Sequence, residues 1–330
     1  MVRRIVVPAM MGALLLAPGG GPAAQAAAPE KVSATLRLDW VPGAHHIGPL
    51  LAAKRGYYAE EGIDLRVQPG KGSGLTVQAV ASGHDLFGFA DAGLMAVAAS
   101  KGAPLVMVAN ISPTGPSGII TLGRKLASPK ELEGKTVGVA AGDASFAPFP
   151  AVAKKHGLAA SSYKQVTVEP AAKAPVLLEK KVDAIPGFRF GDYLRVFTQN
   201  KEAKITLYSE WGVNALGNGY LVATSLVKTK PDLVRRFVKA TMRGWQDALR
   251  DPDAGIAALM EAFPDTNREF AKRGLPLVVE HMRSEATTGK PLGWMAEADW
   301  KSTLEVMKDR GLEGDRPASA YYTNEFVPGQ

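Results

Sequence analysis

The residues that can do chemistry are few, and they cluster where strands feed helices. Gly70–Gly74 and Gly142–Ser145 are glycine-rich turns at such junctions. Free backbone N–H groups at a helix start attract anions or carbonyl oxygens, each by roughly 0.3–1 kcal/mol. Ser73, Gly74 and Ser145 are therefore candidate ligand contacts, although ordinary βα turns read the same way. Neither turn matches the phosphate-binding G-x-x-x-x-G-K-[ST] pattern. Trp40 stands in the breaking segment Trp40-Val41-Pro42-Gly43, where a flat ring can stack on a heteroaromatic guest or pack in a hinge core. Phe146, Phe188 and Trp211 lie in loops near strand ends; each reads first as packing, with one left to close over a ligand. Arg189, after Pro186-Gly187-Phe188, can pair with a carboxylate, sulfonate or phosphate, or stay solvated. Asn218 and Asn214, with Tyr220, offer donors on a second Gly/Asn-rich stretch. His45 and His46 are neighbours in sequence, so they do not share a helix face and no metal pair is expected.

The elements that hold these groups follow from periodicity. Leu36 and Leu38 alternate with Arg37 and Asp39, which predicts a strand. Ile47–Ala59 carries apolar residues at helical spacing, with Gly62 as its stop, and Ile63, Leu65 and Val67 predict a second strand. The pattern repeats through a helix over 75–82, a strand over 86–90, and a helix capped by Asp91, itself a candidate site residue. Leu105–Asn110 is a further strand. Two prolines and two glycines within 111–118 predict a linker. Beyond it, Ser128-Pro129-Lys130-Glu131 is a capping box, followed by strands near 136–140, 165–168, 183–186 and 204–207 and a helix around 175–181. Glu210–Tyr220 reads as a return crossing. Helices over 231–250, 254–262, 268–273 and 296–310 complete the chain.

The stretch LRLDWVPGAHHIGPLLAAKRGYYAEEGIDLRVQPGKGSG also carries a likeness. Leu38-Asp39-Trp40, His46 with Gly48, Gly56-Tyr57-Tyr58, Glu61-Gly62-Ile63 and Gly70-x-Gly72-Ser73-Gly74 resemble the start of extracytoplasmic substrate-binding proteins of ABC importers. The branch is the one that takes thiamine-pyrimidine precursors, aliphatic sulfonates, taurine or nitrate. The resemblance is strong over about forty residues and continuous in layout beyond them. It implies an α/β, two-lobed, type II periplasmic binding fold, each lobe a mixed, mostly parallel sheet flanked by helices. The expected division is a signal peptide over 1–26, lobe one over 32–113 and 214–330, and lobe two over 114–213. The resemblance carries His46, Ser73 and Gly74 over as ligand contacts. Arg189 departs from what a neutral-pyrimidine binder would have there, and leaves the ligand class open. A fungal relative of the fold is a pyrimidine synthase that uses pyridoxal phosphate and a cysteine-rich iron motif.

Composition narrows the rest. The 330 residues hold no cysteine, which excludes thiolate catalysis, disulfides, that iron motif and a lipid-anchored N-terminus. Net charge is +7, about +5 without Arg3 and Arg4, and it is dispersed, with no basic run interleaved with aromatics, so no nucleic-acid partner is expected. Arg3-Arg4, the short apolar run Ile5–Leu16 and Ala24-Gln25-Ala26 predict a secretory leader and a periplasmic protein without a span in the mature chain. No G-x-S-x-G, H-E-x-x-H or dinucleotide fingerprint supports an enzyme. The expectation is a monomeric solute-binding protein of an ABC importer, with a permease as partner. It binds a small heteroaromatic such as a thiamine pyrimidine precursor between its lobes, with no cofactor and no metal. Organic anions (an alkanesulfonate, taurine or an aromatic carboxylate) are the alternative ligand, and a secreted enzyme is the alternative class.

Overall fold

The computed structural model describes residues 1–2 and 31–329. Of the leader expected over 1–26, residues 3–26 lie outside the described residues. Ten strands form two five-stranded sheets among the described residues. In the first, β1 (Val32–Arg37) pairs in parallel with β2 (Ile63–Gln68) and with β3 (Phe87–Asp91). The late strand β10 (Asn218–Ala223) inserts antiparallel between β3 and β4 (Leu105–Asn110). In the second sheet β5 (Ser117–Leu122) runs antiparallel between β8 (Ala184–Phe188) and β9 (Ala203–Leu207), while β6 (Thr136–Val139) pairs in parallel with β7 (Lys164–Thr167) and β8. Each sheet thus has one reversed strand, and the mixed, mostly parallel α/β architecture is as the sequence implies.

The chain crosses between the sheets twice, after β4 and before β10. Both faces of the inner strand β3 and of the edge strand β4 are covered, which is why both read as largely apolar runs. The outer edge of β4 is covered by the C-terminal segment, through bridges Met107–Tyr322 and Asn110–Gly293. The long helix Pro231–Arg250 buries Trp245 against helix Ile47–Lys54 and stacks Phe237 on Phe87 of β3, with ring centres 3.8 Å apart. The two backbones meet through glycines: a Cβ on Gly48 would sit 2.3 Å from the Trp245 ring, and one on Gly244 would sit 2.2 Å from the Gly48 carbonyl.

Of the boundaries that differ from the sequence reading, three have a clear physical cause. The helix expected over Ile47–Ala59 is two helices, Ile47–Lys54 and Tyr57–Glu60, because Gly56 turns the backbone at φ +76°. The linker expected over 111–118 gives up Ser117 and Gly118 to β5, where Gly118 lets the strand lie against Thr206; a Cβ would be 2.3 Å from its carbonyl oxygen. The helix expected to stop at Arg273 runs from Arg268 to Val279 despite Pro276, carried by buried Leu275 and Val278.

Candidate functional site

The first half of the site is built by the segment leaving β1. Asp39 is buried at its end and accepts from Asn218 Nδ2, on β10, at 2.7 Å. His46 Nε2 lies 2.7 Å from the other carboxylate oxygen. The Gly43 N–H donates to His46 Nδ1 at 3.2 Å, so Nδ1 keeps its lone pair and the ring proton is on Nε2, pointing at Asp39. Burial, then the neighbouring His45, push His46 down to about 4 against the pull of Asp39, so the ring is neutral near pH 7. Burial alone would raise Asp39. The His45 ring close by and the hydrogen bond from His46 overturn that and hold the carboxyl well below the usual range.

His45 is different. Its ring lies 3.7 Å from that of His46 and 4.9 Å from that of Phe190, yet neither nitrogen has a hydrogen-bond partner. Its Nε2 is 3.6 Å from Asp39, beyond hydrogen-bond reach. The ligating atoms of Asp39, His45 and His46 do lie within 4.8 Å of one another. The hydrogen bonding here weighs against a cation, because His46 presents a proton toward Asp39, and ligation through Nε2 would need the other tautomer and the loss of the Gly43 N–H bond.

The second half comes from the other sheet. Lys173 is fully buried and its Nζ sits 2.6 Å from Asp143 and 2.7 Å from Asp192. Burial would lower this ammonium, but the two carboxylates hold it above its ordinary value, so it stays charged. Asp143 also accepts from the Ser145 amide at 3.0 Å and hydroxyl at 2.5 Å. The same Nζ lies 5.4 Å from the centre of the Trp40 ring, across the gap between sheets.

Between the halves is a cleft lined by Asp39, Trp40, His45 and Ser73 from one side and by Asp143, Ser145, Phe188, Phe190 and Asp192 from the other. Its enclosed space is about 30 Å3, room for one or two waters. A ring-sized guest therefore needs the halves to part. The glycine turns close the seam: a Cβ on Gly72 would be 3.2 Å from the Gly142 carbonyl, and one on Gly74 would be 3.4 Å from Gly142 Cα. Outside lies a vestibule of about 810 Å3 that shares Trp40, Asp192, Arg195 and Phe270 with the cleft.

Of the residues singled out in the sequence, Trp40, Ser73, Ser145 and Phe188 line this cleft. Gly74 faces Gly142 at the seam. His46 and Asn218 lie behind it, both bonded to Asp39. Asp91 caps the helix Ala92–Ser100 through Leu94 N at 2.8 Å, and its own amide donates to Ser73 Oγ. Phe146 stacks on Phe149 in the core of the second half, with ring centres 5.2 Å apart. Arg189 pairs with Glu280 and is absent from the cleft lining. Sequence reasoning missed Asp143, Lys173, Phe190, Asp192, Arg195 and Phe270. A lysine at the start of helix Lys173–Leu178 carries no spacing signal; only the fold brings it to two aspartates 30 and 19 residues away.

The chain is similar to several known proteins. The riboflavin-binding protein RibY of Chloroflexus aurantiacus is 26% identical, over 95% of this chain and 91% of its own length. The formylaminopyrimidine-binding protein of Halalkalibacterium halodurans is 22% identical, over 81% and 82% respectively. A 4-amino-5-hydroxymethyl-2-methylpyrimidine phosphate synthase of Saccharomyces cerevisiae is 24% identical, over 89% and 87%. Among solved structures, the alkanesulfonate-binding protein SsuA of Xanthomonas axonopodis, bound to MOPS, superposes with a TM-score of 0.69 at 15% identity, over 90% of this chain and 99% of its own. The periplasmic nitrate-binding protein NrtA of Synechocystis gives 0.63 at 13% identity, over 91% and 88%. The fold is that of the two-lobed periplasmic binding proteins. With the family described as NMT1/THI5 like matched over residues 44–255, the chain belongs to that family.

Proposed function

We propose that this protein is an exported solute-binding protein that closes its two lobes, 32–113 with 214–330 and 114–213, on a flat, uncharged nitrogen heteroaromatic and passes it unchanged to an ABC permease. The observation that carries the reading is His45: a buried ring in the cleft wall whose two nitrogens have no partner. A neutral imidazole offers one donor and one acceptor. Ser73 adds a hydroxyl proton, because its Oγ already accepts from the Asp91 amide. Asp39, Asp143 and Asp192 add acceptors. An aminopyrimidine or pyrimidinedione edge presents the matching alternation of N–H and acceptor groups. Trp40, Phe188, Phe190 and Phe270 supply apolar walls for its faces.

Carboxylates weigh against an anion. Three line the cleft, the buried ammonium of Lys173 is committed to two of them, and Arg189 is committed to Glu280. A sulfonate would meet acceptors where it needs donors. A thiamine pyrimidine precursor is the first ligand class. Riboflavin is a second reading, favoured by the likeness to RibY over 95% of the chain. A synthase reading gains nothing from these groups, since the cysteines of an iron motif are absent from the chain.

Titration calorimetry of the mature protein tests this with 4-amino-5-hydroxymethyl-2-methylpyrimidine, riboflavin, taurine, an alkanesulfonate and nitrate. Saturable binding of a ring compound that is recovered unaltered is expected. Binding of sulfonates alone, or loss of the ring compound to a product, overturns the proposal.

A further inference from the structure

One segment of lobe two is seated on lobe one beside the cleft. It is the turn Arg189–Tyr193 with the start of helix Leu194–Gln199, and it packs on helix Arg268–Val279. Phe190 carries most of the contact. It is 3% exposed, and among the described residues it is the one lobe-two member of the buried apolar cluster that fills lobe one. The buried clusters of lobe two do not include it. Its ring centre lies 4.9 Å from that of His45 and 6.3 Å from that of His281, both on lobe one. Leu194, also buried, follows one turn later. Gly274 lets the two elements approach: a Cβ there would lie 3.5 Å from Leu194 Cδ2 and 3.5 Å from the Phe190 carbonyl oxygen. The Arg195 guanidinium then covers the Phe270 ring at 5.2 Å, and Arg189 pairs with Glu280. The ion pair is partly exposed and weak, so the buried ring dominates. Phe190 and Arg195 also line the cleft, so the halves cannot part for a guest while this segment stays seated.

We infer that Phe190 is a latch: a side chain of lobe two that holds the lobes together before any guest arrives, so that a guest enters only after the ring has left lobe one. Exposing a buried phenylalanine side chain shifts an equilibrium by roughly 10- to 100-fold. The latch therefore sets how often the cleft opens, while the polar groups of the cleft set which guest stays. The inference concerns closure and holds for any guest, so it and the heteroaromatic reading can fail separately.

Thiol labelling with no guest present tests this. The chain has no cysteine, and Ser73 is buried in the cleft wall, so Ser73→Cys places a single thiol there. A maleimide too large for the shut cleft reaches that thiol only when the lobes part. In this background Phe190→Ala should raise the labelling rate about tenfold or more. Gly274→Leu, outside the cleft lining, should do the same by wedging Leu194 and Phe190 off the helix. Small-angle X-ray scattering of the cysteine-free proteins should show the wild type with its lobes together and both variants with their lobes further apart. A role for Phe190 as a wall against the guest would move neither readout, because no guest is added. A labelling rate in Phe190→Ala within about twofold of the background overturns the inference, as does a guest-free wild type that scatters as an open form. If circular dichroism shows Phe190→Ala to be unfolded, Gly274→Leu decides by the same criteria.

Discussion

Replacing Lys173 by methionine tests the electrostatic logic of the second lobe. Methionine keeps most of the stem and removes only the ammonium. In the folded protein that ammonium touches Asp143 and Asp192 at 2.6 and 2.7 Å, with all three side chains buried. Removing one partner of a buried pair costs about 3–5 kcal/mol, because the remaining charge is left without compensation. Here two carboxylates are left, so the loss should fall in the upper part of that range. With a shift of roughly 2–4 °C per kcal/mol for chains of this order, the melting temperature should drop by about 8–20 °C. The same variant carrying Asp143→Asn and Asp192→Asn should recover at least half of the loss, since no orphaned charge remains. The pH dependence has a definite sign. Carboxylates stranded without a cation have folded pKa values raised above their unfolded ones, so the deficit of the single variant should shrink as pH falls and grow as it rises. Circular dichroism melts of the three proteins at pH 5 and pH 8 give every quantity. A single-variant loss below about 1 kcal/mol, or a triple variant no more stable than the single one, would refute the reasoning.

Three further outcomes follow from other parts of the molecule. Asp91 is pushed up to about 7 by burial, against the hydrogen bonds it accepts at the start of its helix. Its native state therefore favours the proton, a contribution present below pH 4 and lost as pH rises through 7, so Asp91→Asn should gain roughly 1–3 kcal/mol at pH 8 and little at pH 4; urea melts that show equal changes at both values would contradict this. Gly48→Ala drives a methyl group into the Trp245 ring, and should cost about 1–3 kcal/mol or more, with a loss of near-ultraviolet tryptophan ellipticity at 25 °C. Arg189→Ala removes a partly exposed pair with Glu280 and should change ligand affinity less than about fivefold; a loss of a hundredfold or more in calorimetry would return Arg189 to the binding site and favour an anionic ligand.

The sheets were legible because their signals are local. Strand alternation over 63–68, the continuous apolar run over 105–110 and the capping box at Ser128 each lie within one short window. The Gly/Asn-rich stretch Glu210–Tyr220 reads as a return crossing, but the late strand β10 that follows it is not among the expected strands, since its place between β3 and β4 is set by tertiary pairing and not by a local signal. The two helices around Gly56 show the limit of periodicity: apolar spacing continues across the break, and a single positive φ overrides it. For the cleft, glycine turns and loop aromatics point to segments that the fold brings together, and Trp40, Ser73, Ser145 and Phe188 lie in its wall. The charged groups were not visible. Lys173 in sequence resembles any surface lysine at a helix start, and its burial comes from Asp143 and Asp192 arriving from separate loops. Arg189 stands beside β8 as its sequence position implies, and Glu280, at the end of another helix, arrives to pair with it, a partner that no local signal announces.

On the proposed function, closure and binding are linked by which lobe holds which group. Driving a two-state protein from about 1:99 to 99:1 requires a guest that favours the closed form by roughly 5.5 kcal/mol. A hydrogen bond contributes about 1 kcal/mol net, and an aromatic contact about 0.5–1.5 kcal/mol beyond burial. His45 and Ser73 on lobe one can hold an open-form guest, with Trp40 against its face. Those contacts add affinity to both forms and shift nothing, because only a difference between the states moves the balance. The difference has to come from lobe two: Phe188, Phe190 and the Asp143–Lys173–Asp192 group reach the guest only when the cleft is shut. Phe190 already counts within the apolar core of lobe one when the lobes are together, so its ring is covered by closure itself. The buried ammonium keeps two carboxylates on the cleft wall at fixed positions without admitting an anion. A ligand that offers N–H groups to both lobes at once is therefore the kind that this cleft can close upon.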